Sequence, residues 1–336
     1  VTPYRTALYR LIFAAAAVYN IAFGLWAALT PQSFFALFDL APPLYPAIWA
    51  CLGMVVGLYG LGYAYAAAYI DRATPFIAIG LLGKLLGPIG WVLTVSRGEW
   101  PMRTLSLILF NDVIWWLPFA LFLIDRTRLA ATLRRLAPAA CAATNLAGLV
   151  AMAAALRFGT EVVPLPSDRI AYIAAHPTLW RAGWSIWIGS GVTLVTFYAW
   201  WGAFLEHPRW GLVAVAIAAA GLSCDFAGES LLIAWLPRNY DTLARAATLL
   251  SGAAANGLYT LAGIVLTIAT PSLRGFLRVL TWAVWLAGGA LTALAVAGLP
   301  IGIAISTTIL FVMFCPWALL VGRALQSSHV RPPALT

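Results

Sequence analysis

The stretch "TPFIAIGLLGKLLGPIGWVLTV", Thr74 to Val95, holds one charged side chain in twenty-two residues. At 1.5 Å per residue a helix of that length is about 33 Å long, enough to cross the hydrocarbon core of a bilayer. Its charge, Lys84, is the only lysine beside nineteen arginines. The stretch therefore reads as a membrane-spanning helix with an ammonium near its middle.

Ten such segments follow one another along the chain. They cover approximately 8–29, 46–70, 74–95, 104–124, 137–156, 180–205, 210–236, 243–270, 275–297 and 301–322. Composition agrees, with 63% hydrophobic and 9% charged residues in 336, against roughly 45–50% and about 25% in soluble domains. The predicted fold class is all-α, a polytopic transmembrane helical bundle of about ten spans. A basic stretch, "DRTRLAATLRRLAP" at 125–138, reads as a cytoplasmic linker that divides a four-span module, 1–128, from a six-span module, 129–336. No residue-level repeat relates the two, so the symmetry of inverted-repeat transporters finds no support.

The net charge of +9 comes from arginines scattered at the ends of apolar runs, a pattern for orientation and anionic lipid contact and not for nucleic acid. With the N-terminus inside, twelve arginines fall on cytoplasmic pieces and seven on outer ones. That bias predicts both termini on the cytoplasmic side of the membrane. The opening "VTPYRTALYR" has no small-residue cleavage site after a short apolar core, so the first segment reads as a retained span.

Cys51, Cys141, Cys224 and Cys315 lie singly in apolar segments, and His176, His207 and His329 are far apart. A disulfide framework, a zinc site and histidine-cluster di-iron chemistry are thereby disfavoured, and no nucleotide-binding motif is present. Nothing in the sequence demands a metal or another cofactor.

Charges at membrane depth usually face a bundle interior with a partner. Counting from the inner ends of their spans, Lys84 lies at about 15 Å and Asp112 of "FNDVIWW" at about 18 Å, with Asn20 level with them. The first expected constellation is Lys84, Asp112, Asn111 and Asn20, walled by Trp115, Trp116 and Tyr59. Pro88 frees the Lys84 carbonyl from its helical bond, a place for ligand or water, and Gly80, Gly83, Gly87 and Gly90 permit close helix approach. The plainer reading is an ion pair that fixes packing.

In "SCDFAGESLLIAW" (223–235), Asp225 and Glu229 are four apart and share one helix face. Asn256 of the next span comes to the depth of Asp225, with Tyr259 nearly one turn below. Arg181 is expected to pair with Glu229, with His176 and Arg169 nearby, leaving one acid without a base, the arrangement of a proton carrier or general acid. The plainer alternative solvates Glu229 and lets Ser223 or Asn256 donate to Asp225. The run "FYAWWGAF" (197–204) reads as an interfacial aromatic belt, and Ser167 as the N-cap of a short helix in the long connection after span five.

"YNIAFGLW", "CLGMVVGLYGLGYAYAA", "GLLGKLLGPIG" and "FNDVIWW" (19–26, 51–67, 80–90 and 110–116) resemble uncharacterised bacterial four-span membrane proteins. Their layout is loosely similar to that of DoxX-like proteins. The resemblance covers little more than a third of the chain and implies no activity.

The functional expectation is an intramembrane polar pocket that binds a lipophilic small molecule or lipid. Asp225, Glu229, Lys84 and Asp112 are its candidate acid–base residues, and Asn20, Tyr59, Asn111, Trp115, Arg181, Asn256, Tyr259 and His176 are candidate ligand contacts. Whether it is catalytic stays open. A proton-coupled carrier of a small solute and a non-catalytic subunit organising a protein partner are the alternatives; nucleic acid is not an expected partner.

Overall fold

The structure is a computed structural model that describes residues 2–236 and 239–328. His329, and Arg238 and Arg331 among the arginines counted for orientation, lie outside the described residues. Among these residues all regular structure is helical. Nine helices are long and apolar enough to cross a membrane: α1 (Pro3–Leu29), α3 (Pro46–Ala68), α4 (Thr74–Ser96), α5 (Met102–Ile124), α7 (Ala137–Ala154), α10 (Pro208–Trp235), α11 (Thr242–Ile268), α12 (Gly275–Ala297) and α13 (Pro300–Ser327). A tenth long helix, α9 (Pro177–Gly202), is rich in tryptophan, glycine, serine and threonine, which lowers its hydropathy. Short helices α2 (Pro31–Leu37), α6 (Ala130–Arg135) and α8 (Pro166–Ala175) lie between them. This architecture fits an integral membrane protein.

Proline starts many of the helices. Pro3, Pro31, Pro46, Pro166, Pro177 and Pro208 each occupy a first-turn position, where the missing N–H has no intrahelical role and the fixed φ suits a helix. Helix α8 begins at Pro166 with Leu165 as its cap, so Ser167 lies inside the first turn and is not the N-cap expected.

The chain divides into two compact units, Val1–Ala130 and Ala131–Thr336. In the first, α1 and α3 approach backbone to backbone. A Cβ on Gly24 would meet the Gly53 carbonyl oxygen and the Gly57 nitrogen at 2.6 Å, so only glycine permits this crossing. Helix α4 buries Ile77, Gly80, Lys84 and Pro88 and exposes Ile79, Leu82, Leu86 and Ile89. Spacings of three and four put the buried set on one face. Of the four α4 glycines, Gly80 and Gly87 make the expected close approaches, while Gly83 and Gly90 have nothing within 4 Å of a Cβ.

Tyr9, Phe13, Tyr63, Phe119 and Phe122 form the aromatic core of this unit. At its edge, Tyr9 donates to Asp125 at 2.9 Å; burial pushes the Asp125 carboxyl up, opposed by that hydrogen bond and by Arg5. Helix α2 packs through Phe34 against Trp26 and Trp49.

In the second unit α9 supplies much of the core. Phe197, Tyr198, Trp200 and Trp201 are all buried, which corrects the reading of this run as an interfacial belt. The physical reason is that each buried polar tip needs a partner, and the neighbouring helices provide them. Trp201 Nε1 donates to Thr270 Oγ1 at 3.0 Å, Tyr198 to the Tyr259 carbonyl at 3.1 Å, Trp285 Nε1 to Thr267 at 2.8 Å and Trp317 Nε1 to Thr281 at 2.9 Å.

Candidate functional site

In the first unit Lys84, Asp112, Asn111 and Asn20 come together. Lys84 Nζ lies 3.7 Å from Asp112 Oδ1, both side chains nearly fully buried. The ammonium also donates to the Asn111 carbonyl and to Asn20 Oδ1 at 3.5 Å. Of the three hydrogens of the ammonium, two go to these oxygens, while the Asp112 carboxylate at 3.7 Å balances its charge as an ion pair. Asn111 Nδ2 donates to Asp112 Oδ1 at 2.9 Å, while Asn111 Oδ1 is buried without a hydrogen-bond partner.

Asn111 and Asp112 sit in a π-helical turn, Leu109–Val113. Such a turn widens the helix by one residue and recurs at functional sites. The carboxylate lies against Gly87, where a Cβ would come within 2.8 Å of Asp112 Oδ2.

The Lys84 carbonyl freed by Pro88 does not wait for ligand or water: Trp116 Nε1 donates to it at 2.8 Å. Trp116 thus closes the gap that proline opens. Trp116→Phe leaves this carbonyl unpaired, and a loss of about 1–3 kcal/mol is expected, read as a lowered unfolding midpoint of purified protein. Trp115 instead donates to the Phe110 carbonyl at 3.1 Å. Tyr59 packs on Tyr63 and Phe76 and makes no hydrogen bond to the ion pair, so the expected wall is only partly formed.

The second unit encloses a cavity of about 420 Å³, within the range of small-molecule sites. Arg157, Glu161, Tyr198, Pro300 and Phe314 are among the residues that line it. Its lining is mainly apolar and aromatic, with polar groups from Asn145, Ser190, Asp225, Ser251, Asn256 and Tyr259. Asp225 lies about 15 Å from the Trp235 end of α10 at 1.5 Å per residue. Ser251 Oγ donates to Asp225 Oδ1 at 2.7 Å and the Tyr259 hydroxyl to Oδ2 at 3.1 Å.

Tyr259, expected nearly one turn below the level of Asp225, donates to it directly, and Ser251 is a partner that the sequence reading does not contain. Eight residues apart, Ser251 and Tyr259 would lie roughly 80° apart around a regular helix. The π-helical segment Leu249–Ala255 absorbs one residue without advancing the face, which brings the two hydroxyls to one carboxylate. Glycines complete the frame. A Cβ on Gly191 would meet the Tyr259 hydroxyl at 3.0 Å and Asp225 Oδ2 at 3.1 Å, and one on Gly221 would meet Tyr259 at 3.0 Å.

Other expected members are elsewhere. Asn256 lines the cavity but donates to the Gly288 carbonyl at 2.7 Å and to Thr292 at 2.8 Å, tying α11 to α12 and leaving Asp225 to others. Ser223 bonds its own helix at the Ala219 carbonyl, 3.0 Å away.

Arg181 is exposed and makes no ion pair among the described residues, because α9 turns Trp180, Gly183 and Trp184 inward and Arg181 out. His176 is also exposed, stacked on Tyr172 at 4.7 Å, where it ends α8 and precedes α9. Arg169 binds the Val163 carbonyl at 2.5 Å and the Pro164 carbonyl at 2.9 Å. Glu229 is wholly buried and neither carboxyl oxygen has a hydrogen-bond partner. This departs from both expectations, pairing and solvation.

All four cysteines are free. Among the described residues no three His, Cys, Asp or Glu side chains group as a metal site. No protein-family model matches the chain, and no curated protein or solved structure matches it.

Proposed function

We propose that the six-span unit receives a lipophilic small molecule or lipid in its cavity and holds the molecule's polar group at Asp225, Ser251 and Tyr259. The observation that carries the reading is a buried carboxylate, oriented by two hydroxyls, in the wall of a largely apolar cavity of about 420 Å³. Apolar walls supply affinity and a few convergent polar groups fix orientation. In this reading the Asp225 carboxylate accepts a proton or hydrogen bond from the guest, and the Tyr259 hydroxyl returns one. That is the equipment of acid–base chemistry on a bound lipid.

The Lys84 cluster has the other role in this proposal. Its ammonium is taken up by acceptors of the chain itself, and it serves to lock α1, α4 and α5 together.

The test is mass spectrometry of the small molecules and lipids that stay with gently purified protein. Ala304, on α13, lines the cavity, and Ala304→Phe fills it. The expected result is a defined set of retained molecules in wild type that falls at least fivefold in Ala304→Phe. Identical retained material in the two proteins sinks the proposal.

Glu229, enclosed without a partner on the same helix face as Asp225, favours proton-coupled carriage as the second reading. Proton uptake that accompanies solute movement in vesicles, and is lost in Glu229→Gln, separates a carrier from a binding protein.

A further inference from the structure

We infer that the molecule bound in this cavity is a lipophilic organic cation, an amine or onium ion whose positive charge is seated at Asp225. The inference rests on the cavity reading above and adds the class of ligand.

Charge comes first. Asp225 is 4% exposed, and its two oxygens accept one hydroxyl each, from Ser251 and Tyr259. A carboxylate has about four lone-pair sites, so half of its accepting capacity remains. The ion pairs among the described residues are Lys84–Asp112, Arg103–Asp39 and Arg126–Asp71, and none involves Asp225. A buried acid without a cation of its own either holds a proton or takes a cation from elsewhere, and the free lone pairs of Asp225 leave room for the second. Asp112 in the first unit is the internal contrast, since its cation is supplied by the chain.

A second acid lies one turn away. Glu229, also on α10, is wholly buried and has no hydrogen-bond partner at either oxygen. Neither Arg181 nor His176 turns toward these two acids, so among the described residues no basic side chain is paired with either. The neighbouring contacts fix the level of the pair: Trp180 Nε1 donates to the Leu232 carbonyl at 2.7 Å, and Gly191 abuts Asp225. Trp184, between those two α9 positions, has an indole N–H that is buried and unpartnered as well.

The walls point the same way. Trp180, Trp184, Tyr198, Tyr259, Trp285 and Phe311 all line the cavity. Aromatic faces attract cations, most strongly when water is excluded, and cages of such rings are the common solution for quaternary ammonium recognition. An anion would meet repulsion from the Asp225 carboxylate. The basic residue of the lining, Arg157, has its guanidinium over the Phe158 ring at 4.6 Å.

The test compares two probes of the same shape and opposite charge, tetraphenylphosphonium and tetraphenylborate. Binding is measured by equilibrium dialysis against the full chain in lipid nanodiscs, with empty nanodiscs as background. Saturable binding of the phosphonium is expected, at least tenfold tighter than that of the borate. Asp225→Asn is expected to weaken the phosphonium at least tenfold and Asp225→Glu to restore most of it. The wild-type comparison of the two probes needs no variant to fold. Equal or tighter binding of the borate, absence of saturable phosphonium binding, or an unchanged phosphonium affinity in Asp225→Asn overturns the inference. If both probes bind equally and Ala304→Phe abolishes both, the charge preference is wrong and the cavity reading stands. If Ala304→Phe leaves both unchanged, the cavity reading fails with it.

Discussion

Lys84→Ala is expected to destabilise the first unit by about 3–5 kcal/mol, the usual cost of leaving one member of a buried ion pair alone. The substitution strands the Asp112 carboxylate, whose side chain is 6% exposed, and removes the donor to the Asn111 carbonyl and Asn20. Replacing both charges tells more. In Lys84→Met with Asp112→Leu no charge is left unpaired, so the double variant should recover most of the stability lost by the single one. Both follow from unfolding midpoints of purified protein in the same detergent. A single variant as stable as wild type means that the pair does not hold α1, α4 and α5 together.

The second large effect is expected at Gly24. Gly24→Val places a branched side chain where the nearest atoms are backbone, 2.6–2.7 Å from the first carbon. A flexible side chain can move aside, but the α3 backbone at Gly53 and Gly57 cannot yield without separating the helices. Overpacking typically costs about 1–3 kcal/mol and occasionally more, and this site belongs at or above about 3 kcal/mol because nothing soft lies in the way. Gly83→Val is the matched control on α4, with nothing within 4 Å of its Cβ; a change within roughly 0.5 kcal/mol is expected there. Equal losses at the two glycines contradict the backbone-to-backbone crossing.

The spans are legible in the sequence because length and apolarity determine them, and prolines mark where many begin. Lys84 and Asp112 are legible because charge at membrane depth is rare enough that matching depths imply contact. What the sequence hides is rotation about each helix axis. Arg181 and Trp180 are adjacent, and only packing shows that the tryptophan turns inward and the arginine out.

The π-helical turns are hidden for the same reason. One absorbed residue realigns Ser251 with Tyr259, and no residue type in "LLSGAAANG" announces it. The run "FYAWWGAF" misleads because tryptophan serves a lipid interface and a polar-tipped core equally well. Deciding between them takes the partner of the Trp201 indole, Thr270, which lies 69 residues away in sequence. Pro88 is half legible: its freed carbonyl follows from proline chemistry, but the indole that claims it comes from another helix.

An experimental density map of the protein in lipid nanodiscs, at a resolution that shows side chains, tests the cavity most directly. The map should contain elongated density beside Tyr259 and Trp184 that ends against the Asp225 carboxylate and belongs to no residue of the chain. A collapsed cavity, or one filled by the protein's own side chains with Asp225 turned to a basic group, contradicts the account.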